Sequence, residues 1–186
     1  MLRDDHREVE RLFKQFEKAG PNAHATRRQI VDRIIEELSV HAVIEEQVFY
    51  PAVREAVPDA EDEVLESLEE HHIVKWTLSE LEKLDPEHER FVPKTTVLIE
   101  SVRHHVEEEE DELFPQVREV LKRKRLQEIG EAMAKAKEVA PTRPHPKAPD
   151  TPPGNLVAGA AAAAADKARD AVKKVAKSPG SRRRKS

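Results

Sequence analysis

Residues 41–51 read HAVIEEQVFYP and residues 105–115 read HVEEEEDELFP. Each stretch opens on a histidine and sets a glutamate four residues later, His41 with Glu45 and His105 with Glu109. On a helix such positions share a face, so each pair turns an imidazole and a carboxylate toward one point. Both pairs interrupt an apolar stripe. One stripe reads Ile34, Leu38, His41, Glu45, Val48; the other reads Leu98, Val102, His105, Glu109, Leu113. A buried, unpaired carboxylate is costly, and metal coordination removes that cost by using the group as a ligand. Two further histidines obey the same spacing: His6 stands three residues before Val9, and His71 lies between Leu68 and Val74. Four imidazoles with two carboxylates suit iron or manganese better than the all-oxygen shells of magnesium or calcium, and two carboxylates can bridge two ions.

The pattern is also duplicated. DHREVERLF aligns with EHHIVKWTL, which sets His6 on His71, Val9 on Val74 and Phe13 on Leu78. His41 follows His6 by 35 residues and His105 follows His71 by 34; Pro51 and Pro115 each come ten residues after their histidine. A pseudo-twofold arrangement would bring the two His-Glu pairs together across a core. One buried histidine alone is more often a hydrogen-bonded core residue than a ligand; the argument rests on six residues in register. Apolar spacing favours His71 over its neighbour His72, and both stay open. Glu46 and Glu110 are candidates to accept from, and so orient, a ligand histidine. His24, His88, His104 and His145 read as surface residues. Tyr50 and Phe114 read as packing, with the Tyr50 hydroxyl a candidate hydrogen-bond donor to bound oxygen species. Pro51 and Pro115 are expected to bend or end their helices, since each removes an amide donor.

The elements that must carry these residues are helices. Charged residues make up 37% of the chain and aromatics 4%, and Gly20 and Gly130 are the glycines of the first 140 residues, a composition poor in strand and turn signals. Apolar periodicity places helices at about 2–19, from 25 to just before Pro58, from 59 to Asp85-Pro86, and from 93 through Val120, with helical character continuing to about Val139. Short links between amphipathic helices predict an all-α, up-down-up-down antiparallel four-helix bundle over residues 1–140.

Residues 141–186 differ. They hold 11 Lys and Arg against 3 Asp and Glu, a balance of +8, whereas the first 140 hold 21 against 34, a balance of −13. Six prolines in residues 141–154 predict an extended, unpacked linker. An Ala-rich segment, 158–177, follows, which could be helical by propensity alone, and the end, SRRRKS, reads as disordered. The whole of 141–186 is thus expected to be a largely disordered basic tail. Contact with nucleic acid or an anionic surface is conceivable from its charge, but a solubilising role is the simpler expectation. The chain has no cysteine, which excludes disulfides and thiol chemistry and fits a cytoplasmic setting. It shows no apolar run long enough to span a membrane. Oligomeric state is not legible.

Taken together, the His, then His-x-x-x-Glu pattern, twice over, resembles the hemerythrin-like HHE cation-binding domain, across roughly residues 1–125. The resemblance implies a non-haem centre of two iron ions, oxo- or hydroxo-bridged, held by His6, His41, Glu45, His71, His105 and Glu109. It also implies a small diatomic or peroxide ligand, and a role in handling dioxygen, hydrogen peroxide or nitric oxide under oxidative stress. In oxygen-carrying members the third helix has a second histidine four residues on; here that position is Lys75, or Trp76 if counted from His72. That departure argues against oxygen storage and for redox turnover such as catalase-like peroxide disproportionation. The alternative is a non-catalytic oxygen, redox or iron sensor that signals through the tail. A ferritin-like store is disfavoured, because its Glu-x-x-His order is reversed here.

Overall fold

The structure is a computed structural model that describes residues 1–177, with side chains through residue 171. Among the described residues all regular structure is helical: α1 (Leu2–Lys18), α2 (His24–Ile44), α3 (Tyr50–Ala56), α4 (Glu61–Lys83), α5 (Phe91–Glu108), α6 (Phe114–Val120), α7 (Arg123–Val139) and α8 (Gly154–Lys177). None of these helices is long and apolar enough to cross a membrane. The chain leaves α1 at Ala19 in an extended conformation just ahead of Gly20-Pro21. It leaves α4 likewise at Leu84, ahead of Asp85-Pro86, where the proline disfavours helix in the residue before it.

Packing of α1 on α2, α4 on α5, α2 on α4 and α1 on α5 closes a ring of four. Its interior holds two separate apolar clusters. One gathers Val9, Phe13, Phe16, Ile34, Leu38, Leu78, Leu81, Phe91 and Leu98. The other gathers Ile44, Phe49, Val53, Val64, Leu113, Val117, Ile129 and Met133. The His-Glu residues belong to neither cluster. They form a polar layer between the two.

Pro51 and Pro115 do not end their helices. Each rod continues through a π-helical turn, Glu45–Phe49 between α2 and α3 and Glu109–Leu113 between α5 and α6. In the first, the Tyr50 amide donates to Glu45 O; in the second, the Phe114 amide donates to Glu109 O. In this i→i+5 pattern the next carbonyls, of Glu46 and Glu110, would accept from residues 51 and 115, which are prolines and have no N–H. The two orphaned carbonyls are satisfied from outside the rod. Arg3 Nη2 donates to Glu110 O at 3.1 Å, and Asn155 Nδ2 donates to Glu46 O at 3.0 Å.

The sequence reading is corrected at two further places. The fourth rod breaks at Leu121 and Lys122, both extended, so α7 is a fifth helix and not a continuation. Its Ile129 and Met133 are buried in the second apolar cluster. Residues 141–171, expected to be unpacked, are docked on the bundle. The docking is polar, which apolar spacing cannot reveal: Asn155 is 4% exposed, its carbonyl accepts from Gln47 Nε2 at 3.0 Å, and Arg143 pairs with Glu82 and Asp170. A Cβ on Gly159 would stand 2.7 Å from Gln47 Nε2, so this close approach requires glycine. SRRRKS lies outside the described residues.

Asn155→Ala removes the donor to Glu46 O and leaves a buried carbonyl unpaired, a loss of about 1–3 kcal/mol. Amide exchange and proteolysis should rise across residues 141–171 while the bundle keeps its thermal midpoint within a few degrees. Unchanged exchange in that segment would contradict the docking role.

Candidate metal centre

The four histidines enter the polar layer one from each rod: His6 from α1, His41 from α2, His71 from α4 and His105 from α5, each 4–5% exposed. Glu45 and Glu109 open the two π turns and are 0% and 1% exposed. The next residue of the first turn, Glu46, is buried too, at 4% exposed. Among the described residues, donor atoms of His6, His41, Glu45 and Glu109 lie within 4.8 Å of one another, and so do those of Glu45, His71 and His105. All six predicted residues are therefore brought together, with Glu45 shared by both groups. His71 is the inward residue; His72 is exposed, as is His104.

Each imidazole turns Nε2 inward. His6 Nε2 is 3.2 Å from His41 Nε2, and His71 Nε2 is 3.2 Å from His105 Nε2. His41 Nε2 lies 3.1 Å from Glu45 Oε2, and His6 Nε2 lies 3.4 Å from Glu109 Oε2. Each outward Nδ1 has its own carboxylate: Glu110 on His6 at 2.8 Å, Glu70 on His105 at 2.7 Å, Glu46 on His71 at 3.1 Å and, more distantly, Asp5 on His41 at 3.9 Å. A carboxylate at Nδ1 holds the proton there and leaves the Nε2 lone pair facing the centre. The pairs respect the duplication. Glu46 and Glu110 are equivalent and each reaches a histidine of the other half; Asp5 and Glu70 are equivalent and each serves its own half.

Cations stand behind three of these carboxylates. Arg3 is 2.9 Å from Glu110, Lys137 of α7 is 2.7 Å from Asp5, and Lys75 is 2.8 Å from Glu46. These contacts were not foreseen, because charged residues on amphipathic helices usually face water and their pairings span up to 132 positions.

Tyr50 was underweighted. It is 1% exposed, and its hydroxyl donates to Glu109 Oε1 at 3.1 Å, with His71 Nε2 at 3.4 Å. Its repeat equivalent, Phe114, stacks on His6 with centroids 6.0 Å apart and offers no oxygen. The two halves thus differ at this one aromatic position. A polar aromatic aligned with an apolar one was the available signal.

The electrostatics describe a site short of positive charge. Burial, then the neighbouring Glu109 carboxylate, push Glu45 well above the usual carboxylate range. Burial opposes ionisation of Glu109 as well, but the adjacent His6 imidazole and the charges of His105 and His41 outweigh it and bring it to about 2. Burial lowers His41, and burial with the neighbouring His105 lowers His71 well below the ordinary imidazole value. Burial also raises Tyr50 well above the usual phenol value, so it serves as a donor. Both Glu45 oxygens and Glu109 Oε2 are buried with no partner in hydrogen-bond geometry. Orphaned carboxylate oxygens facing four inward Nε2 atoms fit one missing component, a cation.

A small cavity on the apolar side of the imidazoles is walled by Val9, Leu38, Val74, Val102 and Val106. A separate cleft reaches Tyr50 and Glu46 from the surface, between Pro51, Arg54 and Leu68 on one side and Asp150, Thr151 and Pro152 on the other.

Comparison with known proteins matches residues 1–117 to the model of the hemerythrin HHE cation binding domain. The chain is 32% identical over 171 residues to an uncharacterized hemerythrin-like protein of Schizosaccharomyces pombe, covering 91% of this chain and 83% of that one. It is 29% identical over 118 residues to a DNA nickase of a Nostoc species, covering 63% of this chain but 32% of the nickase. Among solved structures it resembles a hemerythrin HHE cation binding domain-containing protein from Mycobacterium kansasii, with a TM-score of 0.63 and 26% identity over 74% of this chain and 82% of that one.

Glu45→Met replaces an unpartnered buried carboxyl by an apolar side chain of similar length. In chelator-treated protein it should raise unfolding free energy by about 1–3 kcal/mol, measured by urea denaturation. A lower value than the parent would show that Glu45 is satisfied without a metal.

Proposed function

Because the chain belongs to the hemerythrin HHE cation-binding family, we propose that its polar layer is a non-haem di-iron centre that engages dioxygen, hydrogen peroxide or nitric oxide. His6, His41, Glu45 and Glu109 hold one ion; His71, His105 and Glu45 hold the other. The observation that carries this reading is the set of orphaned Glu45 and Glu109 oxygens facing four inward Nε2 atoms. Mixed imidazole and carboxylate donors suit iron or manganese better than magnesium or calcium.

Two adjacent redox ions supply electrons in pairs, which suits catalase-like conversion of two hydrogen peroxide molecules to two waters and dioxygen. The chain's residues do the rest. Glu46, Glu70 and Glu110 hold the imidazoles of His71, His105 and His6 in their inward-facing tautomers. The valine-lined side keeps bulk water out. The cleft past Pro51 and Arg54 admits only small molecules to Tyr50, whose O–H is held on Glu109 and stands ready to donate to an incoming oxygen atom. The same reading places the protein in the cytoplasm.

A second reading, a non-catalytic redox or iron sensor, is favoured by one specific feature. Elements beyond the matched residues touch the layer around the centre, Lys137 through Asp5 and Asn155 through Glu46 O. Deleting residues 141–186 distinguishes the readings: a sensor loses partner binding with iron content intact, whereas a catalyst keeps peroxide turnover.

Reconstituted without air, the chain should hold about two iron ions, and after oxidation to the ferric state it should acquire a visible band on adding azide. Peroxide should then evolve dioxygen, and His105→Ala should lose that evolution together with one ion. Iron content below about one ion per chain sinks the metal reading; full iron content with no dioxygen evolved sinks the catalase-like one.

A further inference from the structure

The residue one turn after His71 is a buried lysine. Lys75 is 6% exposed and lies in the core stripe of α4 with His71, Val74 and Leu78. Its Nζ sits 2.8 Å and 3.0 Å from the two oxygens of Glu46, itself 4% exposed. Glu46 Oε1 lies 3.1 Å from His71 Nδ1. Leucine or methionine would pack this site without the desolvation that burying an ion pair entails.

We propose that Lys75 is a positioning residue for the His71 half of the metal centre, acting through Glu46. The ammonium donates to both carboxylate oxygens and fixes the Glu46 carboxyl in place inside the bundle. A Glu46 oxygen fixed by Lys75 beside His71 Nδ1 accepts its N–H, which leaves the Nε2 lone pair directed at Glu45 and His105. Position 75 shares the inward face with His71, yet an ammonium has no lone pair to give a metal. The position therefore serves the centre from one layer out.

The comparison among the four histidines makes Lys75 particular. Arg3, behind Glu110, is 41% exposed, and Lys137, behind Asp5, is 36% exposed, so water and salt screen both. No cation stands behind Glu70 among the described residues. Lys75 alone is withdrawn from solvent, so removing its charge acts on Glu46 unscreened, and through it on one imidazole. This inference rests on the metal-centre reading for its consequence but not for its geometry, and the two are separable by experiment.

The variants are Lys75→Met, which keeps length and removes charge, Lys75→Arg, which restores charge, and Glu46→Gln. In the metal-free full-length chain, nitrogen-15 shifts of His71 should report a single Nδ1–H form for the parent and for Lys75→Arg. Lys75→Met and Glu46→Gln should show a mixture of tautomers, with the shifts of His6 unchanged. After anaerobic loading with ferrous iron, Lys75→Met should weaken one of the two ions by about 10–100-fold against a chelator and leave the other as in the parent. Lys75→Arg should recover it. Unchanged His71 shifts in Lys75→Met overturn the proposal, whether or not the chain binds iron. So does equal weakening of both ions, the signature of general destabilisation. A parent chain that binds no iron, with the shifts behaving as stated, defeats the metal reading and leaves the positioning of His71 by Lys75 standing.

Discussion

A layer of four imidazoles and two carboxylates, sealed between two apolar clusters, is the constraint the rest of this structure serves. Without a cation it is unfavourable: two carboxyl groups face each other, burial and Glu109 push Glu45 well above the usual carboxylate range, and three oxygens lack partners. The apolar clusters on either side hold the helices together despite it. The π turns, the outward carboxylates and the cations behind them all follow from the need to aim lone pairs at one volume.

The duplication accounts for most of the geometry, and its failures are informative. Equivalent glutamates, Glu46 and Glu110, brace the two halves by reaching across to each other's first histidine. Their supporting cations are not equivalent: Arg3 stands at one and Lys75 at the other, from unrelated repeat positions. The orphaned carbonyls are likewise met by unrelated donors, Arg3 and Asn155. The symmetric part is what a metal needs on both sides. The asymmetric part, Tyr50 against Phe114 above all, gives the two sides different surroundings.

The ligand positions were legible because period and duplication act on the same residues: an imidazole in an apolar stripe is conspicuous once, and unmistakable when repeated at a fixed offset. Helix existence was legible for the same reason. The break at Leu121 and Lys122 was not, since neither glycine nor proline marks it. The docking of residues 141–171 was hidden because it uses an asparagine, an arginine and a glycine in place of an apolar face. Lys75 was visible only as an absent histidine. What it does depends on Glu46, 29 positions away, and no local pattern joins them.

The cross-braces have a consequence for how the chain matures. His6 meets Glu110 across 104 positions, and His71 meets Glu46 across 25. Neither half can orient its first histidine alone. During synthesis from the N-terminus, His6 is made early, yet it stays unbraced until the last rod has emerged and docked. Competent metal capture is thus postponed to the end of bundle assembly, and a chain stalled halfway carries imidazoles without presenting a finished site.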